Sequence, residues 1–275
     1  NKDAAHHFRT AARLKPDYAE AFNNLGSVQE LEGEFGDAKK NYQQALTLKP
    51  DYAKALCGLG NIAAAQDDLA GAVEFYEQAV ALDLGSVEAR SNLGKALIDL
   101  NRVDNAEAQL RQALAVNAKH APAHYNLGIV LEERGDFVGA GKAYQEALRL
   151  SPDDPDYHWN AGLLALLKGR FLDGWQGYEW RLRRGRKLTR EVKKSRWDGS
   201  DPAGQTILIQ TEQGFGDTFQ FIRYAQVLKD RGAKIIVECQ PKTERLVPLA
   251  AGVDSVIHRD QNLPKVDQYI QLLSL

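Results

Sequence analysis

The chain has 275 residues, 44 % of them apolar and 26 % charged, with a formal net charge of -2. Those proportions exclude a disordered chain, a collagen and a disulfide-stapled scaffold. No apolar run reaches the ~18 residues of a membrane span, no secretory leader opens the sequence, and Cys57 and Cys239 lie far apart, so a cytoplasmic protein without a membrane span is expected.

The near-neutral total hides an asymmetry. Residues 1–180 carry 18 Lys/Arg against 26 Asp/Glu, residues 181–200 carry 9 against 2, and residues 201–275 carry 8 against 9. A basic hinge therefore divides two parts of different character. Methionine is absent, even at position 1, and the sequence is read as a fragment or a processed chain.

Residues 1–18 read as one helix. From residue 19, two helix-spaced stretches, about 19–32 and 37–48, flank a Gly33-x-x-Gly36 turn and end at Lys49-Pro50-Asp51. This pattern then recurs. Gly26, Gly60, Gly94, Gly128 and Gly162 are each 34 residues apart. Twelve residues on come Ala38, Ala72, Ala106, Ala140 and Gly174, and Tyr42, Tyr76, Tyr144 and Tyr178 share one register with Leu110. Small residues let two helices cross closely, and large ones fill the space between units. A single helix pair leaves an apolar face uncovered, so the units are expected to stack.

The pattern resembles the tetratricopeptide repeat (TPR) family over about residues 1–186: a half repeat at 1–18, then repeats 19–52, 53–86, 87–120, 121–154 and 155–186. The resemblance implies an α-solenoid whose first helices line a concave groove, with a protein or an extended peptide as partner. Two residues before each repeat glycine stand Asn24, Gly58, Asn92, Asn126 and Asn160. An asparagine amide both donates and accepts, so a row of them pairs with a peptide backbone without reading its side chains. The repeats are similar in this to those of O-GlcNAc transferase, which carry an asparagine ladder on their inner surface. Gly58 interrupts the row here, and asparagine is also common at this position of the family. One residue earlier the series Asn23, Cys57, Ser91, Tyr125, Trp159 grows larger and more aromatic. Tyr125 and Trp159 read either as an anchor pocket for an apolar partner residue or as a packing surface.

All four tryptophans lie between residues 159 and 197. Trp175, Tyr178 and Trp180 at helical spacing imply that a second domain docks there. The basic run 181–196 lacks a recognisable nucleic-acid module, so no nucleic-acid partner is expected and its charges are read as solvated or answered within the chain. Residues 187–204 read as a basic linker, closing on Gly199, Ser200, Pro202 and Gly204.

Beyond the linker the period changes. Residues 206–210 form a β-type run, followed by the loop Gln213-Gly214-Phe215-Gly216-Asp217, an amphipathic helix over 218–231, a strand at 233–239, a helix at 241–250, and strands at 254–258 and 268–272. Alternating strands and helices imply a parallel sheet, a small α/β Rossmann-like segment over 205–275. The third glycine of a dinucleotide fingerprint is replaced by Phe219, although Glu238 stands where a ribose-binding acid would.

Arg196-Trp197-Asp198-Gly199, Glu212-Gln213-Gly214-Phe215-Gly216-Asp217-Thr218 and Gln220-Phe221-Ile222-Arg223-Tyr224 together resemble the start of heptosyltransferase-like glycosyltransferases, and above all the bacterial group that joins TPR repeats to such a domain. The resemblance implies half of a GT-B fold and a parent protein that transfers sugar from a nucleotide-sugar donor. It makes Asp217 the candidate catalytic base, lets Gly214 and Gly216 bring backbone close to a ligand, and has Glu212, Gln213 and Thr218 line the same site. An N-cap role accounts for Asp217 equally well. The second GT-B half has no counterpart in the 275 residues, so the chain by itself is not expected to turn over. The competing reading is a non-enzymatic TPR adaptor whose α/β segment only caps the solenoid. No Cys/His cluster has metal spacing and no cofactor is called for.

Overall fold

The computed structural model describes residues 2–185, 189–212 and 214–275, with side chains in the first helix from His6 onward. The chain divides into two compact units, Asn1–Tyr178 and Glu179–Leu275.

The first unit is helical. After α1 (Lys2–Leu14) come five pairs: α2 (Ala19–Leu31) with α3 (Phe35–Leu48), α4 (Ala53–Ala65) with α5 (Leu69–Leu82), α6 (Val87–Asp99) with α7 (Val103–Val116), α8 (Ala121–Glu133) with α9 (Phe137–Leu150), and α10 (Pro155–Leu167) with α11 (Phe171–Tyr178). The partners of each pair pack together, and each second helix up to α9 packs on the first helix of the next pair. The first helices α2, α4, α6 and α8 also touch in sequence, so they stand side by side along one face. This is the solenoid expected from the 34-residue period.

The period works through specific contacts. The repeat glycines Gly26, Gly60 and Gly128 lie against the rings of Tyr42, Tyr76 and Tyr144, and Gly94 against Leu110, so a Cβ at any of them meets the partner side chain. In the fifth pair Gly162 faces the backbone of Gly177 instead. Gly58 is explained in the same way. A Cβ there overlaps the Tyr42 ring of the preceding repeat, so no asparagine fits at that point of the row. Ala38, Ala72, Ala106 and Ala140 are fully buried where the helices cross.

The end of each first helix also repeats. Gly33, Asp67, Asn101, Gly135 and Gly169 take φ values of 79°, 63°, 57°, 77° and 72°. This left-handed residue ends the helix and turns the chain into its partner. Glycine adopts it freely, and Asp and Asn tolerate it better than other side chains. Asp68 and Asp136 then cap the following helices, accepting from the N–H groups of Gly71 at 3.0 Å and Gly139 at 2.8 Å.

The second unit is built on a five-stranded parallel sheet in the order β1–β5–β2–β3–β4. Its strands are β1 (Ser195–Arg196), β2 (Thr206–Gln210), β3 (Lys234–Cys239), β4 (Ser255–His258) and β5 (Gln268–Gln271). Side chains alternate between its faces. Ile207, Ile209, Ile235 and Val237 pack with Ile222, Leu228 and Val247 on one face, while Leu208 and Ile236 pack with Val192 and Val266 on the other.

Four details depart from the pattern expected above. The expected linker contributes β1, which pairs with β5. The helix expected over 218–231 starts earlier and is broken into α12 (Phe215–Phe221), a 3-10 turn Ile222–Tyr224 and α13 (Ala225–Asp230). The break lies where Gly252, at φ 85°, packs directly on the backbone of Ala225 and Gln226. The helix expected over 241–250 is only two 3-10 turns, Pro241–Thr243 and Val247–Leu249, because Pro248 has no N–H to give and its ring crowds the preceding turn. The last helix of the repeats stops at Tyr178, and Glu179–Arg183 is a 3-10 turn of the second unit.

Candidate functional site

The candidate residues fall into two groups, one in each unit. In the first unit they lie on the first helices. Asn24 is on α2, Asn92 on α6, Asn126 and Tyr125 on α8, and Asn160 and Trp159 on α10. Asn126 is buried and the other three asparagines are half-buried. Asn92 donates from Nδ2 to Asn61 Oδ1 at 3.1 Å, and Asn160 donates from Nδ2 to Tyr125 Oη at 3.0 Å. Each amide has two N–H groups and a carbonyl, so these bonds use a fraction of its capacity. Tyr125 stacks on Tyr157 at 4.6 Å between centroids, and Trp159 lies at 4.6 Å from Tyr178.

The structure adds a polar chain beneath this row. Tyr42 donates to Glu30 Oε2 at 2.6 Å, Asn61 donates to Glu30 Oε1 at 3.0 Å, and Tyr76 donates to Asn61 Oδ1 at 2.8 Å. In the fourth repeat Tyr144 donates to Glu132 Oε2 at 2.8 Å. Burial and the adjacent carboxylates hold both Tyr42 and Tyr144 far above the ordinary phenol range, so both remain donors at every physiological pH. Sequence reading passed over these pairs. The signal was present, since Glu30 and Glu132 share one repeat position and each precedes its tyrosine by twelve residues. A cavity of about 260 Å³ opens beside Glu132, lined by Ile129, Glu133, Tyr144, Asn160 and Leu163.

In the second unit the loop after β2 leads into α12. The N-cap of α12 is Gly214, and Asp217 lies three residues on, in the first turn and exposed. The N-cap role considered for Asp217 therefore falls to Gly214. A Cβ on Gly214 meets the Asp217 carboxylate, whereas the space around Gly216 is open. Thr218 is buried, and its hydroxyl donates to the Gly214 carbonyl at 2.8 Å. Gln213 lies outside the described residues.

Glu212 is engaged elsewhere. It is 5 % exposed, and both its oxygens accept from Arg181, which is 4 % exposed: Nε to Oε2 at 2.9 Å and Nη2 to Oε1 at 2.6 Å. Arg181 also donates to Glu179 and to Ser274, both at 2.8 Å. Gln240 Nε2 and Arg259 Nη2 donate to the carbonyls of Glu212 and Thr211, each at 2.8 Å. These bonds hold the loop at the carboxyl end of β2, and the Glu212 carboxylate serves that anchorage. Glu238, fully buried on β3, pairs with Arg190. Arg181, Arg190 and Arg196 of the basic run are thus answered inside this unit. Among the described residues no helix is long and apolar enough to cross a membrane, and no group of three metal-ligating side chains is found.

Comparison with curated proteins gives no match. Solved structures give many. PilF of Pseudomonas aeruginosa is 21 % identical, with 78 % of this chain and 85 % of that one covered and a TM-score of 0.57. A thermophilic TPR protein of Thermus thermophilus is 23 % identical over 61 % of this chain and 91 % of its own, with a TM-score of 0.53. YrrB, described as a TPR protein with an unusual peptide-binding site, is 22 % identical over 66 % and 93 %, with a TM-score of 0.50. These likenesses concern the fold. The tetratricopeptide repeat model itself matches residues 1–38, 32–86, 91–155 and 142–173. The matched segments span more than half of the sequence and cover most of the helical unit described above, and the chain belongs to the tetratricopeptide repeat family, whose repeats serve as protein-interaction scaffolds.

Proposed function

We propose that the first unit binds an extended peptide along its first-helix face, through the amides of Asn92, Asn126 and Asn160. The observation that carries this reading is their register. The three residues are 34 apart on α6, α8 and α10, and α6 and α8 pack directly on each other. Side-chain amides at a fixed interval suit the repeating donors and acceptors of an extended backbone. Tyr125 and Trp159 flank the row as apolar contacts. The test is amide hydrogen exchange of the full chain with and without a peptide selected from a random phage library. Protection confined to α6, α8 and α10 is expected, and protection of the second helices alone contradicts the reading.

For the second unit we propose one half of a GT-B-like glycosyltransferase domain, belonging to a parent that transfers sugar from a nucleotide-sugar donor. The strand order supports it. Read as β4–β3–β2–β5, all parallel, it is the order of half of a doubly wound nucleotide-binding sheet. In such sheets ligands bind at the carboxyl ends of strands where the order reverses, here between β2 and β5, next to the loop that presents Asp217. Asp217 is the group available as a base toward an acceptor hydroxyl. Calorimetric titration with nucleoside diphosphates and nucleotide sugars, beside Asp217→Ala, tests this. Weak binding that needs the intact loop is expected; silence with every nucleotide leaves the TPR scaffold as the whole function of the chain.

A further inference from the structure

The carboxylate beside the cavity on the fourth and fifth repeats differs in one respect from its counterpart on the first. Glu30 and Glu132 occupy the same repeat position. Each accepts from its own tyrosine through Oε2. At Glu30 the other oxygen is taken by Asn61, which lies 31 residues on. The residue 31 positions after Glu132 is Leu163. The neutral donor that closes the first carboxylate is therefore replaced by an apolar side chain. Among the described residues no cation pairs with Glu132 or Glu133, although Arg134, next in sequence, reaches away to Asp104 and Glu107.

The replacement changes what the cavity accepts. Its volume is about 260 Å³, and Ile129 and Leu163, one repeat apart, supply apolar walls. Glu132 supplies a carboxylate whose orientation Tyr144 fixes, and Glu133 adds a second, exposed one. Asn160, a member of the amide row, lines the same cavity. A site with methylene-sized apolar walls and an unanswered carboxylate suits a side chain with an apolar stem and a cationic head. The surroundings act in the same direction, because residues 1–180 carry eight more acidic than basic side chains.

We infer that this cavity takes a lysine or arginine side chain of the bound segment and thereby sets which extended peptides the repeats retain. The inference rests on the peptide-binding reading above. Ile129 and Leu163 cover the stem, Glu132 Oε1 and Glu133 receive the ammonium or guanidinium head, and the asparagine row holds the backbone on either side.

The test pans a random-peptide phage library against the immobilised full chain and sequences the retained pool. The same is done with Glu132→Gln, which keeps the acceptor for Tyr144, and with Leu163→Asn, which installs the closing donor of the first repeats. Lys and Arg are expected to be enriched about tenfold at one position of the wild-type pool, and both variants are expected to lose that enrichment. The leading peptide, labelled with fluorescein, is expected to bind about tenfold more weakly when its basic residue is replaced by norleucine, by fluorescence anisotropy. A retained pool without basic preference, or a preference that survives in Glu132→Gln, overturns the inference and leaves peptide binding standing. Failure to retain any peptide overturns both.

Discussion

Gly128 shows how tightly single residues set the repeat packing. Its Cα faces the buried Tyr144 ring, and an added methyl has nowhere to go. Gly128→Ala is expected to cost about 1–3 kcal/mol, read as a lowered thermal midpoint. Gly216→Ala, in open space, is expected to leave it unchanged. Arg181 and Glu212 form a buried pair, and such a pair is worth little against an apolar isostere but much when broken. Arg181→Ala strands a buried carboxylate and is expected to destabilise the second unit by about 3–5 kcal/mol, whereas the double change to leucine recovers most of that in urea unfolding. Glu179 adds a pH dependence. Burial raises its pKa, but hydrogen bonds from Arg181, Ser274 and Arg196 outweigh this and hold it below the ordinary carboxylate value. A carboxyl lowered on folding stabilises fully above its unfolded pKa, and loses that contribution as pH falls through its folded pKa. Tryptophan fluorescence of the second unit is therefore expected to report acid loosening below about pH 4, less steeply in Glu179→Gln.

At the scale of elements, the left-handed residue after each first helix is the clearest device. Three of the five are glycine, and Asp67 and Asn101 are not. Asn101→Gly relieves a conformation that costs an ordinary side chain about 1–2 kcal/mol, partly offset by the greater freedom of glycine in the unfolded chain. A small rise in thermal midpoint is expected, and Gly135→Ala is expected to lower it. These helices were legible in the sequence because a 34-residue period makes the same Gly–Tyr contact recur, so each repeat confirms the others. The second unit has no period to average over. Its strands at 206–210 and 234–239 could be read from their β-branched runs, but β1 has two residues and pairs with a strand more than seventy positions away. Pro248 was visible, yet the packing of Gly252 on Ala225 and Gln226, just after the broken turn, is a contact that no local pattern encodes.

On the scale of the whole molecule, the candidate residues of the two units are of different kinds. The first repeats an amide along its first helices and sets Glu132 beside a cavity; the second gathers a loop at the carboxyl end of β2. The amide row was legible, and so was its gap, since the asparagines are in register and Gly58 is not one of them. The reason for the gap was not, because it lies in Tyr42 of the neighbouring repeat. Likewise the role of Glu212 depends on Arg181, 31 residues away, in a run whose charges read as solvated or answered within the chain but whose partners no local pattern names. The central claim is that the asparagine row holds a peptide backbone. Its most direct test is the affinity of a library-selected, fluorescein-labelled peptide for the wild-type chain and for the triple variant Asn92→Ala, Asn126→Ala, Asn160→Ala, measured by anisotropy beside circular dichroism. Three hydrogen bonds at about 1 kcal/mol each predict binding weakened about a hundredfold with the helical signal unchanged. Equal affinity in the two folded proteins would contradict it.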